Sequence, residues 1–172
     1  MEASIKRRLR ADALSVAERL GKASINEDVR KQLTDKLEVV RQRIDSETPE
    51  YTEDFRTVLP LNELHQDIFA VNGALWQAEG YGPITVWQTP LWEWLDLFAE
   101  PVNDALRVKV LAMNGEYRAG AFNISNASTA ETTVRLDIEG LPEPITEYVR
   151  VSEVAWTDTL AGTPVAAGLP EA

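Results

Sequence analysis

Two apolar stripes with the same step pattern constrain this chain more than any other feature. Ile5, Leu9, Ala13, Val16 and Leu20 advance by four, four, three and four residues, and Val29, Leu33, Leu37, Val40 and Ile44 repeat those steps. Such spacing lines one face of an α-helix, and Lys, Arg and Glu fill the other faces. Gly21 marks the end of the first stripe. Ser24-Ile-Asn-Glu27 then has the form of a capping box, a hydroxyl followed three residues later by Glu. Two stripes joined by a short loop predict an antiparallel helical hairpin. Residues 46–60 are polar and hold Pro49 and Pro60, which predicts a connection. A third helix is expected from about Asn62 to Glu79, with Leu64, Ile68, Val71 and Leu75 inward and Trp76 beside them. Gly80-Tyr-Gly-Pro83 stops it.

Past this point the period changes. Ile84–Gln88 reads as a short strand, and the Trp-rich, Pro-bounded stretch Thr89–Pro101 as a loop or helical turn. Leu106–Ala112, Tyr117–Asn126, Glu131–Ile138 and Glu147–Trp156 are rich in Val, Ile, Thr and aromatics, with turn residues between them. Val134, Leu136 and Ile138 alternate onto one face, and Val149, Val151 and Val154 do so after a shift. The expected fold class is therefore α+β. A helical segment, residues 1–82, precedes an antiparallel, β-sandwich-like, immunoglobulin-like half, residues 83–172. Only five or six strands are counted where such a sandwich needs about seven, so the sandwich is expected to be incomplete or covered by the helices.

Charge narrows the partners. Residues 1–50 carry 11 Lys/Arg against 10 Asp/Glu, a balance of +1, and residues 51–172 carry 6 against 18, a balance of −12, which together give the net −11. An acidic β-rich half repels phosphate backbones and anionic headgroups, so neither nucleic acid nor a membrane is expected as a partner. The basic cluster Lys6-Arg7-Arg8-x-Arg10 reads as a solvated helix face, balanced by acids in the same helices. No apolar run approaches the roughly 18–20 residues that span a bilayer. The charged start lacks the apolar stretch of a secretory signal. Read as a complete product the chain is expected in the cytoplasm, and read as a piece of a longer protein its address is open.

The absence of cysteine removes disulfides, thiolate catalysis and thiolate metal sites. His65 is the one histidine, with no second ligand at helical spacing and no nucleophile elbow, so it reads as a surface or internally satisfied helix residue. Phosphate-binding glycine loops and calcium loops are missing, and no cofactor or metal is expected. No catalytic residue is assigned. A carboxylate pair of the glycosidase kind would draw on Glu93, Asp96 or Glu116, but no motif marks one. The aromatic residues remain: Trp87, Trp92 and Trp94 lie within eight positions, flanked by Tyr81 and Phe98. Exposed, they would make a stacking platform for sugar rings or a protein hot spot, and these three are the candidate binding residues. Buried, they would plug the junction between the helical and β-rich parts. Asn123-Ile-Ser125 and Asn126-Ala-Ser128 match the glycosylation sequon, a short signal that matters only in a secretory setting.

The order of features from residue 84 onward carries a resemblance. Val86-Trp87 precedes Pro90-Leu-Trp92 and Pro101, and Asn114-Gly-Glu-Tyr-Arg-Ala-Gly-Ala-Phe-Asn-Ile-Ser-Asn126 follows. Val134-Arg-Leu-Asp-Ile-Glu-Gly-Leu-Pro142 and Val149-Arg-Val-Ser-Glu-Val-Ala-Trp156 complete the series. This resembles the β-sandwich accessory regions of large bacterial glycoside-hydrolase-like proteins. The resemblance implies a non-catalytic accessory or scaffolding module of a carbohydrate-active protein, with catalysis in another domain and closing strands beyond Ala172. The partners so implied are carbohydrate or other domains of a larger protein. A reading of a different class is a protein-interaction or assembly module, which docks a partner or self-associates as a homo-oligomer through the hairpin residues Leu33, Leu37, Val40 and Ile44. The third reading is a small carboxylate hydrolase.

Overall fold

The computed structural model describes residues 2–48, 58–91, 95–102, 107–113, 115–142, 144, 147–159 and 163–166. Three helices form first: α1 (Glu2–Lys22), α2 (Glu27–Ser46) and α3 (Glu63–Ala78). Each packs on the other two. The stripes read from the sequence are their contact faces. Ile5, Leu9, Ala13, Val16 and Leu20 of α1, Leu33, Leu37, Val40 and Ile44 of α2, and Leu64, Ile68, Val71 and Leu75 of α3 are all buried in one core. Each such aliphatic side chain contributes about 1.5–3 kcal/mol relative to exposure. Exposed pairs such as Arg10–Asp45 and Arg41–Glu38 contribute about 0–1 kcal/mol, so the apolar faces hold the bundle together.

The helix ends follow from local chemistry. The α1–α2 turn is closed by Arg30, whose guanidinium donates to the carbonyls of Leu20 and Ala23, groups that α1 leaves unpaired at its end. The N-cap of α2 is Asn26, whose Oδ1 accepts the Asp28 N–H at 2.8 Å. The cap expected at Ser24 thus falls two residues later, because an amide side chain next to the first helical turn serves the same backbone donors. Asn62 caps α3 by accepting from the His65 N–H. At the other end Gly80 takes φ +98°, and the N–H groups of Gly80 and Tyr81 return to the carbonyls of Gln77 and Trp76. That paired bonding needs a left-handed residue, which glycine supplies without strain.

Beyond α3 there are four short strands among the described residues: β1 (Ile84–Trp87), β2 (Asn123–Asn126), β3 (Trp156–Asp158) and β4 (Pro164–Ala166). β1 pairs antiparallel with β2, Ile84 opposite Asn126 and Trp87 opposite Asn123, and β3 pairs antiparallel with β4. The first sheet rests on α3. The Ala127 N–H donates to the Pro83 carbonyl, Gln77 Nε2 donates to the Ala127 carbonyl at 2.6 Å, and a Cβ on Gly73 would meet Ala127 backbone atoms at 3.1 Å. Phe98 joins the helical core beside Phe69, at 5.6 Å between rings. The second sheet is tied to the segment before α3 by a bridge between Val58 and Thr157 and by the Leu59 N–H bonding to the Trp156 carbonyl.

An α+β chain with three helices and small antiparallel sheets is therefore what forms. No closed sandwich is present among the described residues. Ile84–Trp87 forms as expected, but of Tyr117–Asn126 only the last four residues are strand. Neither residues 107–112 nor 131–138 contribute one, and of 147–156 only Trp156 opens β3. A strand that buries one face needs a second layer across it, and among the described residues beyond α3 those buried against other parts of the chain lie in β1, in the 95–101 segment and at Ala127. Among the described residues after Ala78, Trp87, Phe98, Pro101 and Ala127 are buried, and none after Ala127 is.

Candidate functional site

Trp87 closes β1 with only 4% of its surface exposed. Its indole N–H crosses to Ser125 Oγ on β2 at 2.9 Å, so it is a satisfied core residue rather than an open stacking face. Phe98 is buried just as deeply, in the helical core instead. Tyr81 is half-buried, and its phenol is pushed up by burial and by the Glu100 and Glu79 carboxylates. Trp92, Glu93 and Trp94 lie outside the described residues. The structure thus sends the described aromatics of the Trp-rich stretch to separate packing sites.

The candidate acids are also apart. Asp96 is exposed and accepts the Phe98 N–H at 2.7 Å, which caps the turn through Ala99. Glu116 sits in the turn after Met113. Its carboxylate accepts the Met113 N–H at 3.0 Å and an Arg118 donor at 2.6 Å, and those bonds, the backbone one first, hold its pKa below the usual range. A glycosidic general acid needs the opposite shift, a proton retained near neutrality. Glu116 is suited to fixing its turn. The sequon asparagines end a strand: Asn123 reaches Thr89 Oγ1, and Asn126 Oδ1 accepts both the N–H and the hydroxyl of Ser128.

Two polar clusters arise that the sequence did not single out. The first lies inside the bundle. Asp12 of α1 accepts from Arg8 Nη1 at 2.9 Å and sits 2.8 Å from His65 Nε2 of α3, and the three residues are 3%, 4% and 0% exposed respectively. The Leu61 N–H donates to His65 Nδ1 at 3.2 Å. That bond makes Nδ1 the acceptor, so the ring proton is on Nε2 and is donated to Asp12. Phe69 stacks on the imidazole at 4.6 Å. Both ring nitrogens are engaged and the ring is closed to solvent, so this histidine cannot reach a substrate. It is the internally satisfied histidine of the two alternatives. Of the basic cluster at the start of α1, Lys6 and Arg10 reach toward Asp45, whereas Arg8 is in the interior. The signal was present: Arg8 and Asp12 stand four apart, each next to the apolar stripe at Leu9 and Ala13, and His65 adjoins Leu64 and lies four before Phe69.

The second cluster centres on Arg19. Its guanidinium donates to Asn72 Oδ1, reaches Glu100 at 3.0 Å and Glu79 at 3.5 Å, and lies 5.8 Å from the Trp76 ring centre. Burial raises the Glu79 pKa, Arg19 opposes that, and Glu100 adds to it. Beside it an open hollow of about 510 Å³ is lined by Ser15, Glu18, Lys22 and Phe98 with Arg19 and Glu100. Arg19 is already matched there by the Glu79 and Glu100 carboxylates, and the cluster ties α1, the end of α3 and the 95–101 segment together. Among the described residues no group of three or more His, Asp or Glu is placed to hold a metal, and no helix is long and apolar enough to cross a membrane.

Leu33, Leu37, Val40 and Ile44, the assembly stripe expected on the hairpin, are 4%, 2%, 6% and 1% exposed in the bundle. Comparison of the chain with protein-family models, with curated proteins and with solved structures gives no match.

Proposed function

We propose that this chain is a non-catalytic accessory or scaffolding module of a carbohydrate-active protein, with its β-rich half as the contact surface and its helical bundle as the rigid base. The observation that supports this is the asymmetry of burial. The bundle closes on itself, while Leu111, Met113, Tyr117, Val134, Leu136 and Tyr148 stand half to fully exposed. If these side chains form one patch, that patch is what a contact face would offer. The same reading makes the second half an incomplete sandwich, one layer of which is supplied by a neighbour. The carbohydrate association comes from the resemblance of residues 84–156, and direct sugar contact would fall to Trp92 and Trp94.

Hydrogen–deuterium exchange on the whole chain tests the asymmetry. Amides of α1–α3 should be strongly protected and those of residues 107–113 and 131–138 weakly so. Equal protection in both would mean that the second half is a self-sufficient domain and would remove the basis of the reading. Titration with cello-, xylo- and malto-oligosaccharides, followed by Trp fluorescence, tests sugar contact. A flat response in all three would leave scaffolding alone. The assembly alternative through the hairpin stripe would require the bundle to open, since those four side chains are its core.

A further inference from the structure

Residues 131–139 combine three properties. Their pattern alternates, with Val134, Leu136 and Ile138 on one face and Thr133, Arg135, Asp137 and Glu139 on the other. Among the described residues they pair with no strand, although Val134 and Leu136 are 51% and 50% exposed. Their charges are self-complementary about Leu136, one residue to either side. Arg135 and Asp137 already meet within the chain, Nη2 to Oδ1 at 2.7 Å, with side chains 84% and 61% exposed.

We propose that this segment pairs antiparallel with the same segment of a second copy, related by a two-fold axis through Leu136. In that register Leu136 faces its own copy, Val134 faces Ile138 and Thr133 faces Glu139. Arg135 of each chain lies opposite Asp137 of the other. Directly opposed residues in an antiparallel pair share a face, so the apolar sides coincide and both ion pairs fall on the other side. No like charges are opposed. The neighbouring even registers fail: centring on residue 135 sets Arg135 against its copy, and centring on 137 sets Asp137 against its copy. Odd registers place Val134 opposite a charged residue and mix the two faces. The in-chain Arg135–Asp137 contact is exposed and cheap to exchange, and the forked guanidinium can serve two carboxylates. An isologous contact of this kind closes after two chains and leaves no open filament. The pairing goes beyond the accessory reading and does not depend on any sugar.

The test uses the full chain and two charge variants, with sedimentation equilibrium as the readout and the helical circular dichroism signal as the control for folding. The parent should dimerise reversibly within roughly 0.5 mM, the weak range of a short two-stranded contact. R135D opposes Asp to Asp twice and D137R opposes Arg to Arg twice, so each alone should weaken the dimer about tenfold or more. An equimolar mixture of the two variants restores both ion pairs and should form a mixed dimer as tight as the parent's. The double variant R135D/D137R should also dimerise. A monomeric parent over the whole range overturns the proposal. So does a dimer that survives in both single variants, which would place the contact elsewhere, or a mixture that fails to associate while both variants keep their helices.

Discussion

Removing the Asp12 carboxylate should cost this chain more than any other single polar change in the bundle. Asp12→Ala takes the carboxylate from Arg8 and the acceptor from the His65 N–H, in a place where the side chains of Arg8 and Asp12 are 5% and 4% exposed and that of His65 is closed off. Breaking a buried ion pair costs about 3–5 kcal/mol. Alanine returns up to about 0.7 kcal/mol of helix propensity. The net expectation is a loss of about 2–5 kcal/mol, against a total stability of roughly 5–15 kcal/mol for a domain. Urea unfolding followed by circular dichroism measures it, with the slope unchanged and the midpoint lowered. Two companions separate the causes. Asp12→Asn keeps an acceptor near His65 without the charge, so it should fall between parent and Asp12→Ala. The double change Arg8→Met with Asp12→Leu removes both charges of the pair at once, leaves the His65 N–H unsatisfied, and should cost less than Asp12→Ala alone. A loss below about 1 kcal/mol for Asp12→Ala would equal that of an exposed pair. These three groups would then not share a dry interior.

Gly73→Ala sets propensity against packing: a gain of about 1 kcal/mol in the helix opposes contact with Ala127 backbone atoms at 3.1 Å. Since Gln77 also bonds the Ala127 carbonyl, the variant should loosen the first sheet from α3. Faster amide exchange at Ala127, whose N–H is held by Pro83, checks this, and an unchanged rate argues against it. Glu79→Gln should stabilise the chain at neutral pH. A carboxylate whose pKa is raised in the fold, chiefly by burial, favours the folded state only when protonated. Its penalty is absent below the unfolded pKa and develops as pH rises through the folded one. The advantage of Gln over Glu should therefore shrink toward zero as unfolding is followed down into the acid range, and an advantage that grows on acidification would reverse the sign. Ser125→Ala leaves the buried Trp87 N–H without its acceptor and should cost about 1–3 kcal/mol, read by urea unfolding together with a changed Trp emission. No loss of stability would mean that water reaches the indole.

The helical half was readable because a 3.6-residue period reports which face is covered, whatever covers it. Leu33, Leu37, Val40 and Ile44 had to be inside something, and they are. The stop at Gly80 was equally local, since it depends on a backbone angle and two bonds within six residues. The β-rich half was less readable, because alternation shows that a face wants cover but not that cover exists. Thr133–Ile138 alternates as cleanly as any stretch and finds no strand partner among the described residues. The polar clusters failed for another reason. Asp12 and His65 are 53 positions apart, and only the packing of α1 on α3 makes them neighbours. Charged residues flanking an apolar stripe are usually solvated, which is why Arg8 read as surface. Burial of Trp87 rather than exposure was the more general tendency of tryptophan, and Ser125 Oγ, 38 positions on, made it affordable.

The two halves differ in how much apolar surface their described residues bury. In the bundle, ordering costs about 1–2 kcal/mol per residue in backbone entropy, and fifteen buried apolar residues offset it within the chain. From Ser128 to Thr159 the same cost per residue applies, yet no described residue there is buried. Exposed short-range pairs such as Arg135–Asp137, and the bonds among Asn126, Ser128 and Ala130, are individually worth too little to replace a core. Val134, Leu136, Tyr148, Val151 and Val154 carry the apolar area that could, but all five are exposed in the described structure. On the pairing proposed above, a second copy would supply the covering surface. A chain built this way should gain protection in residues 131–139 as its concentration rises, while α1–α3 stay unchanged. Protection independent of concentration would show that the needed contacts are already made within one chain.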